Sequence, residues 1–241
     1  MHFWSTPEYV GFLIVRQDGS LIAGLKSGLH HINLRDNGAI HVIRIDRVDE
    51  HSAHIRFNDG MSDAQGRIWA CTMDMRNKEP LGKYFCYDHA FKRTVIDEGY
   101  IVANGPALSP DGRLLYTVET IGNADIEKGI YISEINSYGK AENKQLLIPW
   151  SNYASYPDGV ITDTAGNLWI GEFGGNVLRC FSPIGNINYE IPLPALNITK
   201  AVFGGINKDV LYATSARIGT DEATLKKYPY TGGLIEVRGI I

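Results

Sequence analysis

No stretch of this chain sustains a helical hydrophobic period over eleven or more residues, and none approaches the roughly 20 apolar residues of a membrane span. Both absences point away from a helical bundle and from a membrane protein. Cysteine is scarce: Cys71, Cys86 and Cys180 are an odd number without C-x-x-C spacing. A disulfide framework or zinc knuckle is therefore not expected, and the reducing cytoplasm fits best. Excess charge is absent too. A net charge of −4 over 241 residues gives no electrostatic reason to bind nucleic acid. No Gly/Ser linker, charge block or low-complexity tract marks a second domain, so one domain over 1–241 is expected. Met1-His2-Phe3-Trp4 lacks the basic and apolar regions of a signal peptide, which makes the Asn197-Ile198-Thr199 triplet incidental. No G-x-S-x-G elbow announces a serine nucleophile.

What the chain does contain is a recurring phrase, an acidic turn ending in glycine followed by a short apolar strand tipped with an aromatic. It reads Asp18-Gly19-Ser20-Leu21-Ile22, Asp63-Ala64-Gln65-Gly66-Arg67-Ile68-Trp69, Asp111-Gly112-Arg113-Leu114-Leu115-Tyr116 and Asp163-Thr164-Ala165-Gly166-Asn167-Leu168-Trp169. Asn207-Lys208-Asp209-Val210-Leu211-Tyr212 is a looser fifth copy. An interval of about 46 to 54 residues suits one four-stranded propeller blade per repeat. The apolar stretches between are short, alternating and bounded by turn residues, so the expected fold is an all-β β-propeller. Trp69, Tyr116, Trp169 and Tyr212 are expected to pack between neighbouring blades.

Three further words stand at one phase of the repeat: Arg56-Phe57-Asn58-Asp59-Gly60, Ala103-Asn104-Gly105-Pro106 and Tyr156-Pro157-Asp158-Gly159. Asn58, Asn104 and Asp158 each lie eight residues ahead of the turn glycine, Gly66, Gly112 or Gly166. Equivalent positions in a propeller are related by rotation about its axis, so such side chains can converge from different blades. Gathered Asn and Asp oxygens suit a hard divalent cation such as calcium or magnesium. The plainer alternative is that the three words are ordinary turns.

The run from Arg56 to Met73, with Asn104-Gly105, Ser109-Pro110-Asp111-Gly112, Tyr156-Pro157-Asp158-Gly159, Phe203-Gly204-Gly205 and Leu211 to Arg217, resembles the gluconolactonase and regucalcin (senescence marker protein) family. The matching blocks run in family order over nearly the whole chain. The resemblance implies a six-bladed propeller that hydrolyses a sugar lactone with a divalent metal, whether calcium, zinc, magnesium or manganese. It also implies that Asn104 and Asp158 hold the metal, that Asp158 serves as the catalytic base, and that Arg56 and Asn58 bind substrate. The expected partner is a small sugar lactone, with no membrane and no nucleic acid.

One departure accompanies the match. The family's metal also takes a Glu from an E-G-P-type stretch of a first blade, and this chain begins near the end of that blade. Six blades of about 45 residues need roughly 270, and five phrases are visible. The expectation is an incomplete N-terminal blade, a weakened ion site, and open blade edges that favour self-association. The alternative function is a non-catalytic propeller or pseudoenzyme acting as a binding scaffold. Glu8 lies in a segment that resembles a later part of the family. His30, His31, His41, His51, His54 and His89 are read as solvated loop or edge-strand histidines, with His51-x-x-His54 the one pair at ligand-like spacing. Glu119-Thr120 is read as a strand-end hydrogen bond or a substrate contact, and Cys71 as a buried small hydrophobe.

Overall fold

Most of the repeated turns work as hairpin corners because one side chain ties them together. In a computed structural model describing residues 4–48, 53–136 and 139–239, the Asp63 carboxylate accepts the backbone N–H of Gln65 (3.0 Å) and Arg67 (2.9 Å). It also accepts Arg67 Nε (2.7 Å) and the indole Nε1 of Trp69 (2.9 Å). Asp163 repeats the scheme with Ala165, Asn167 and Trp169. The closing glycine, Gly66, has φ +77°, where an L side chain is strained. The Ser109–Gly112 corner closes the same way, with Ser109 in place of the aspartate: its Oγ accepts Leu114 N at 3.0 Å.

Among the described residues these corners help to organise nineteen strands and a short helix. Blade 1 is β1 (Val10–Val15), β2 (Leu21–Leu25), β3 (Gly28–Leu34) and β4 (Ile40–Arg47). Blade 2 is β5 (Ile55–Ser62), β6 (Ile68–Asp74), β7 (Gly82–Tyr87) and β8 (Arg93–Tyr100). Blade 3 is β9 (Ala103–Leu108), β10 (Leu114–Glu119), β11 (Gly129–Ile135) and β12 (Ala141–Pro149). Blade 4 is β13 (Tyr156–Thr162), β14 (Leu168–Phe173), β15 (Val177–Phe181) and β16 (Ile187–Pro192). Blade 5 has three strands, β17 (Asn197–Gly204), β18 (Val210–Ala216) and β19 (Leu234–Arg238). Helix α1 (Glu222–Lys227), between β18 and β19, is capped by Asp221, whose carboxylate accepts Thr224 N at 2.8 Å. This is a five-bladed all-β propeller with one repeat phrase per blade. Blade 1 carries a full set of four strands, and the sheet with fewer is blade 5.

The chain forms two compact units, Met1–Pro106 with Gly122–Ile126, and Ala107–Ile121 with Glu127–Ile241. In the first, Phe12, Ile22, Leu29, Phe57, Phe85 and Tyr87 form the core, with Phe12 and Phe57 edge-to-face at 5.6 Å. A polar clamp joins blades 1 and 2. Arg93 Nη1 donates to the carbonyls of Arg47 (2.6 Å) and Val48 (3.0 Å) and pairs with Asp46, which also accepts the Tyr87 hydroxyl at 2.9 Å. In the second unit, Tyr116, Trp150, Val160, Leu168 and Phe181 form one cluster, and Trp169, Leu178, Ile198, Leu211 and Ala213 another. Trp69, Tyr116 and Trp169 are buried, and two of them pack across blades as expected: Tyr116 clusters with Val160 and Leu168 of blade 4, and Trp169 packs edge-to-face on Phe203 of blade 5 at 5.9 Å. Tyr212 departs from the pattern. It is half-buried on the face of β18 opposite to Leu211 and Ala213, because β-strand neighbours alternate faces.

His30 also departs from its reading as solvated, being 5% exposed with Nδ1 at 2.9 Å from the Gly28 carbonyl. His31 is half-buried against Ser20 Oγ (2.8 Å), whereas His41, His54 and His89 are exposed and His51 lies outside the described residues. Cys71 is fully buried, with Sγ at 3.3 Å from the Ala103 carbonyl. Asn197 is 2% exposed and spends its amide on the carbonyls of Ala216 and Ile218, so the sequon side chain is closed off in the fold. Among the described residues no helix is long and apolar enough to cross a membrane.

Candidate active site

All four residues singled out for chemistry fall on the first strand of a blade, which is an edge strand of its sheet: Arg56 and Asn58 on β5, Asn104 on β9, Asp158 on β13. The pairing of β5 with β6 slips between Phe57 and Asp59, so Asn58 is the extra residue of a β-bulge. The pairing of β13 with β14 slips between Pro157 and Val160, at Asp158 and Gly159. A bulge re-aims a side chain that regular alternation would send to one face, and proteins place bulges beside functional sites. The same irregularity recurs at Gly11 of β1 and Thr199 of β17. Thr199 was missed by the sequence reading because its word, Ile198-Thr199-Lys200, has no amide or carboxylate before a glycine.

Within the first unit, Asn58 and Asn104 meet. Asn58 Nδ2 donates to the Asn104 side-chain Oδ1 and to the Ala103 carbonyl, both at 2.9 Å. Two acceptors on one side fix the amide orientation, because the flipped form would set oxygen against oxygen. Asn104 is 5% exposed and Asn58 half-buried. Asp59, also 5% exposed, accepts the N–H of Gly60 (2.7 Å) and of Gly105 (3.0 Å). The Tyr84 hydroxyl donates to the Asn104 carbonyl at 2.6 Å. Arg56 is half-buried, with Nη1 on the Phe57 carbonyl at 2.8 Å.

Asp158 belongs to the second unit and is half-buried. The chain leading to it is held firmly. Thr120 Oγ1 donates to the Pro157 carbonyl at 2.9 Å, and Lys128 Nζ to the carbonyls of Tyr153 (3.1 Å) and Ser155 (3.2 Å). Glu172, 1% exposed, takes the Ser155 hydroxyl and the Arg179 Nε (2.6 Å). Burial pushes the Glu172 carboxyl up, and Arg179 pulls against it. Glu119 is fully buried with Oε1 accepting Ile121 N (3.1 Å), so Glu119-Thr120 matches the strand-end reading. Glu8, half-buried, has its Oε2 on Ser27 N at 2.6 Å, which places that carboxylate in blade 1 packing.

Among the described residues no group of three His, Cys, Asp or Glu side chains converges to hold an ion. The candidate donors are instead one carboxylate and amide oxygens, a hard-oxygen set that fits calcium, magnesium or manganese and leaves coordination positions to water.

Residues 1–217 match the family described as SMP-30/Gluconolactonase/LRE-like region. A relative from Pseudomonas putida, named 6-deoxy-6-sulfogluconolactonase, is 31% identical over 234 residues, covering 96% of this chain and 77% of its own. Regucalcin of Xenopus laevis is 28% identical over 246 residues, covering 98% and 79%. In fold, the chain resembles the crystal structure of the calcium-binding protein regucalcin from Agrobacterium tumefaciens, with a TM-score of 0.86 at 21% identity over 97% of this chain and 77% of that one.

Proposed function

Since the chain belongs to the SMP-30/gluconolactonase/LRE-like family, we propose that it hydrolyses a sugar lactone with a divalent ion held by Asn104 and Asp158. The observation that carries this reading is local. Asn58 and Asp158 stand on β-bulges of equivalent edge strands, and Asn58 is tied directly to Asn104. The lactonase activity rests on the family and on the sulfogluconolactonase relative; the metal, its ligands and the residue roles are the further step.

When bound, the ion supplies Lewis-acid polarisation of the lactone carbonyl and lowers the pKa of a coordinated water. Asp158 accepts the proton of the attacking water at its carboxylate, the carbonyl carbon gains the water oxygen, and the ring C–O bond breaks as Asp158 returns that proton to the leaving ring oxygen, giving the open hydroxy acid. Arg56 donates to substrate oxygens and orients the sugar. Asn58 aligns Asn104 through Nδ2 and turns its own Oδ1 away from that pair, where it accepts a sugar hydroxyl.

Calorimetric titration with calcium or manganese tests the ligand assignment. The parent chain binds, and Asp158→Ala loses binding while keeping its far-ultraviolet spectrum. Unchanged ion affinity in Asp158→Ala would sink the assignment.

A further inference from the structure

The two peptide planes that flank the Asn104 Cα are both pinned by side chains of blade 2. The preceding plane is held at its oxygen, because the Ala103 carbonyl accepts Asn58 Nδ2 at 2.9 Å. The following plane is held at both ends. Its carbonyl, that of Asn104, accepts the Tyr84 hydroxyl at 2.6 Å, and its N–H, that of Gly105, donates to Asp59 Oδ2 at 3.0 Å. A peptide plane gripped by its C=O and its N–H cannot rotate without breaking both bonds. Gly105 has φ +50°, the left-handed region, so the plane is locked in a conformation that few other residues would adopt. Fixing both planes fixes the backbone angles of Asn104 and hence the direction in which its Cβ and carboxamide leave the strand.

We infer that Asp59 and Tyr84 are positioning residues that lock the Asn104–Gly105 peptide and thereby aim the Asn104 carboxamide at its ligand. The ligand role of Asn104 rests on the function proposed above; the lock itself does not. The two residues come from different strands, Asp59 from β5 and Tyr84 from β7, and both are buried, so water does not replace either bond when it is lost. Tyr84 is further held edge-to-face on Tyr100 at 4.9 Å, which fixes the approach of its hydroxyl. Asp59 has a second task, since its Oδ1 accepts Gly60 N at 2.7 Å beside the bulge that carries Asn58. One carboxylate thus ties the bulge of β5 to the strand that presents Asn104.

The variants Tyr84→Phe and Asp59→Asn separate the lock from bulk packing. Phenylalanine keeps the ring contact and removes one hydroxyl. Asparagine keeps one acceptor for two N–H groups, so its loss falls between those of the parent and Asp59→Ala. Hydrogen exchange at the Gly105 amide, followed by nuclear magnetic resonance, needs no ion. Exchange at least about tenfold faster in Tyr84→Phe, with the thermal midpoint nearly kept, is the expected result. Parent-like exchange at Gly105 in both variants overturns the lock. Calorimetry with calcium or manganese reads the consequence. Ion affinity about tenfold weaker in Tyr84→Phe, and weaker in Asp59→Ala than in Asp59→Asn, supports the aiming role. Parent-like affinity in all three variants overturns it. A parent chain that binds no ion overturns the ligand role of Asn104 and with it the aiming role, while the exchange result decides the lock alone.

Discussion

Removing the Asp63 carboxylate as Asp63→Ala probes the device that Asp163 repeats in blade 4. Four bonds are lost, two to turn N–H groups and two to the side chains of Arg67 and Trp69. Their worth is unequal. The turn at Gln65 is exposed, so its N–H finds water and costs little. The Arg67 pair, with Arg67 28% exposed and Asp63 3%, is worth up to about 1 kcal/mol. Trp69 is 1% exposed, so its indole N–H is left dry and unpaired, at a cost of about 1–3 kcal/mol. The expected total is about 2–4 kcal/mol, or roughly 4–16 °C in thermal midpoint for a chain of this size. A double-mutant cycle isolates the indole: Trp69→Phe should cost less in the Asp63→Ala background than alone, because the orphaned N–H is gone. The Asp63 carboxyl sits below its usual range. Burial would raise it, but the bonds from Trp69 and Arg67 outweigh burial. A depressed carboxylate stabilises the fold above the unfolded value near pH 4, and the advantage fades as pH falls toward the folded value. The gap between parent and variant should therefore shrink below about pH 4. A midpoint within about 1 °C of the parent at pH 7, or equal Trp69→Phe costs in the two backgrounds, would mean that the Asp63 carboxylate does not hold the indole.

Three other outcomes are expected. Arg56→Ala should lose lactone turnover by about a hundredfold while keeping its midpoint within a few degrees, as for a substrate-orienting group; a large fall in midpoint in the same melting experiment would make Arg56 structural. Glu172→Ala should destabilise by about 1–3 kcal/mol, because Arg179, 13% exposed, loses its buried partner and keeps only the more exposed Glu190 and the Tyr153 ring face; denaturant titration measures it, and a change under about 1 kcal/mol would contradict the role given to this pair. Asp74 is pushed up by burial, yet the Arg76 guanidinium and the N–H groups of Arg76, Lys78 and Glu79 hold its carboxyl well below the usual range. Its contribution is present above about pH 4 and is lost as pH falls, so Asp74→Ala should expose the 74–79 turn to proteolysis at neutral pH; parent-like resistance there would count against it.

The blades were legible because each carries one turn that needs an acceptor and a glycine, and those residues stand out in a sequence. Asp63 and Asp163 show this directly, since the spacing to Trp69 and Trp169 is the spacing of the hydrogen bonds. The bulges were not legible. An extra residue in a strand changes neither composition nor periodicity enough to be seen, although it is what sets Asn58 and Asp158 apart from their neighbours. The bond between Asn58 and Asn104 joins residues 46 apart in the chain, and nothing in either word announces the other. His30 was misread because a polar residue on a strand is buried or exposed according to register, which sequence alone leaves open. Counting phrases found five blades but not which was short of a strand, because each phrase marks the corner between the first two strands and is silent about the last.

The most direct test of the account is proton release during hydrolysis of a six-carbon aldonolactone, and of its 6-sulfo counterpart, by the parent chain stripped with chelator and then resupplied with calcium, magnesium, manganese or zinc. The stripped chain should lose turnover, at least one divalent ion should restore it, and Asp158→Ala should stay inactive with every ion. Full turnover in the stripped chain, or in Asp158→Ala, would contradict metal-dependent hydrolysis through Asp158.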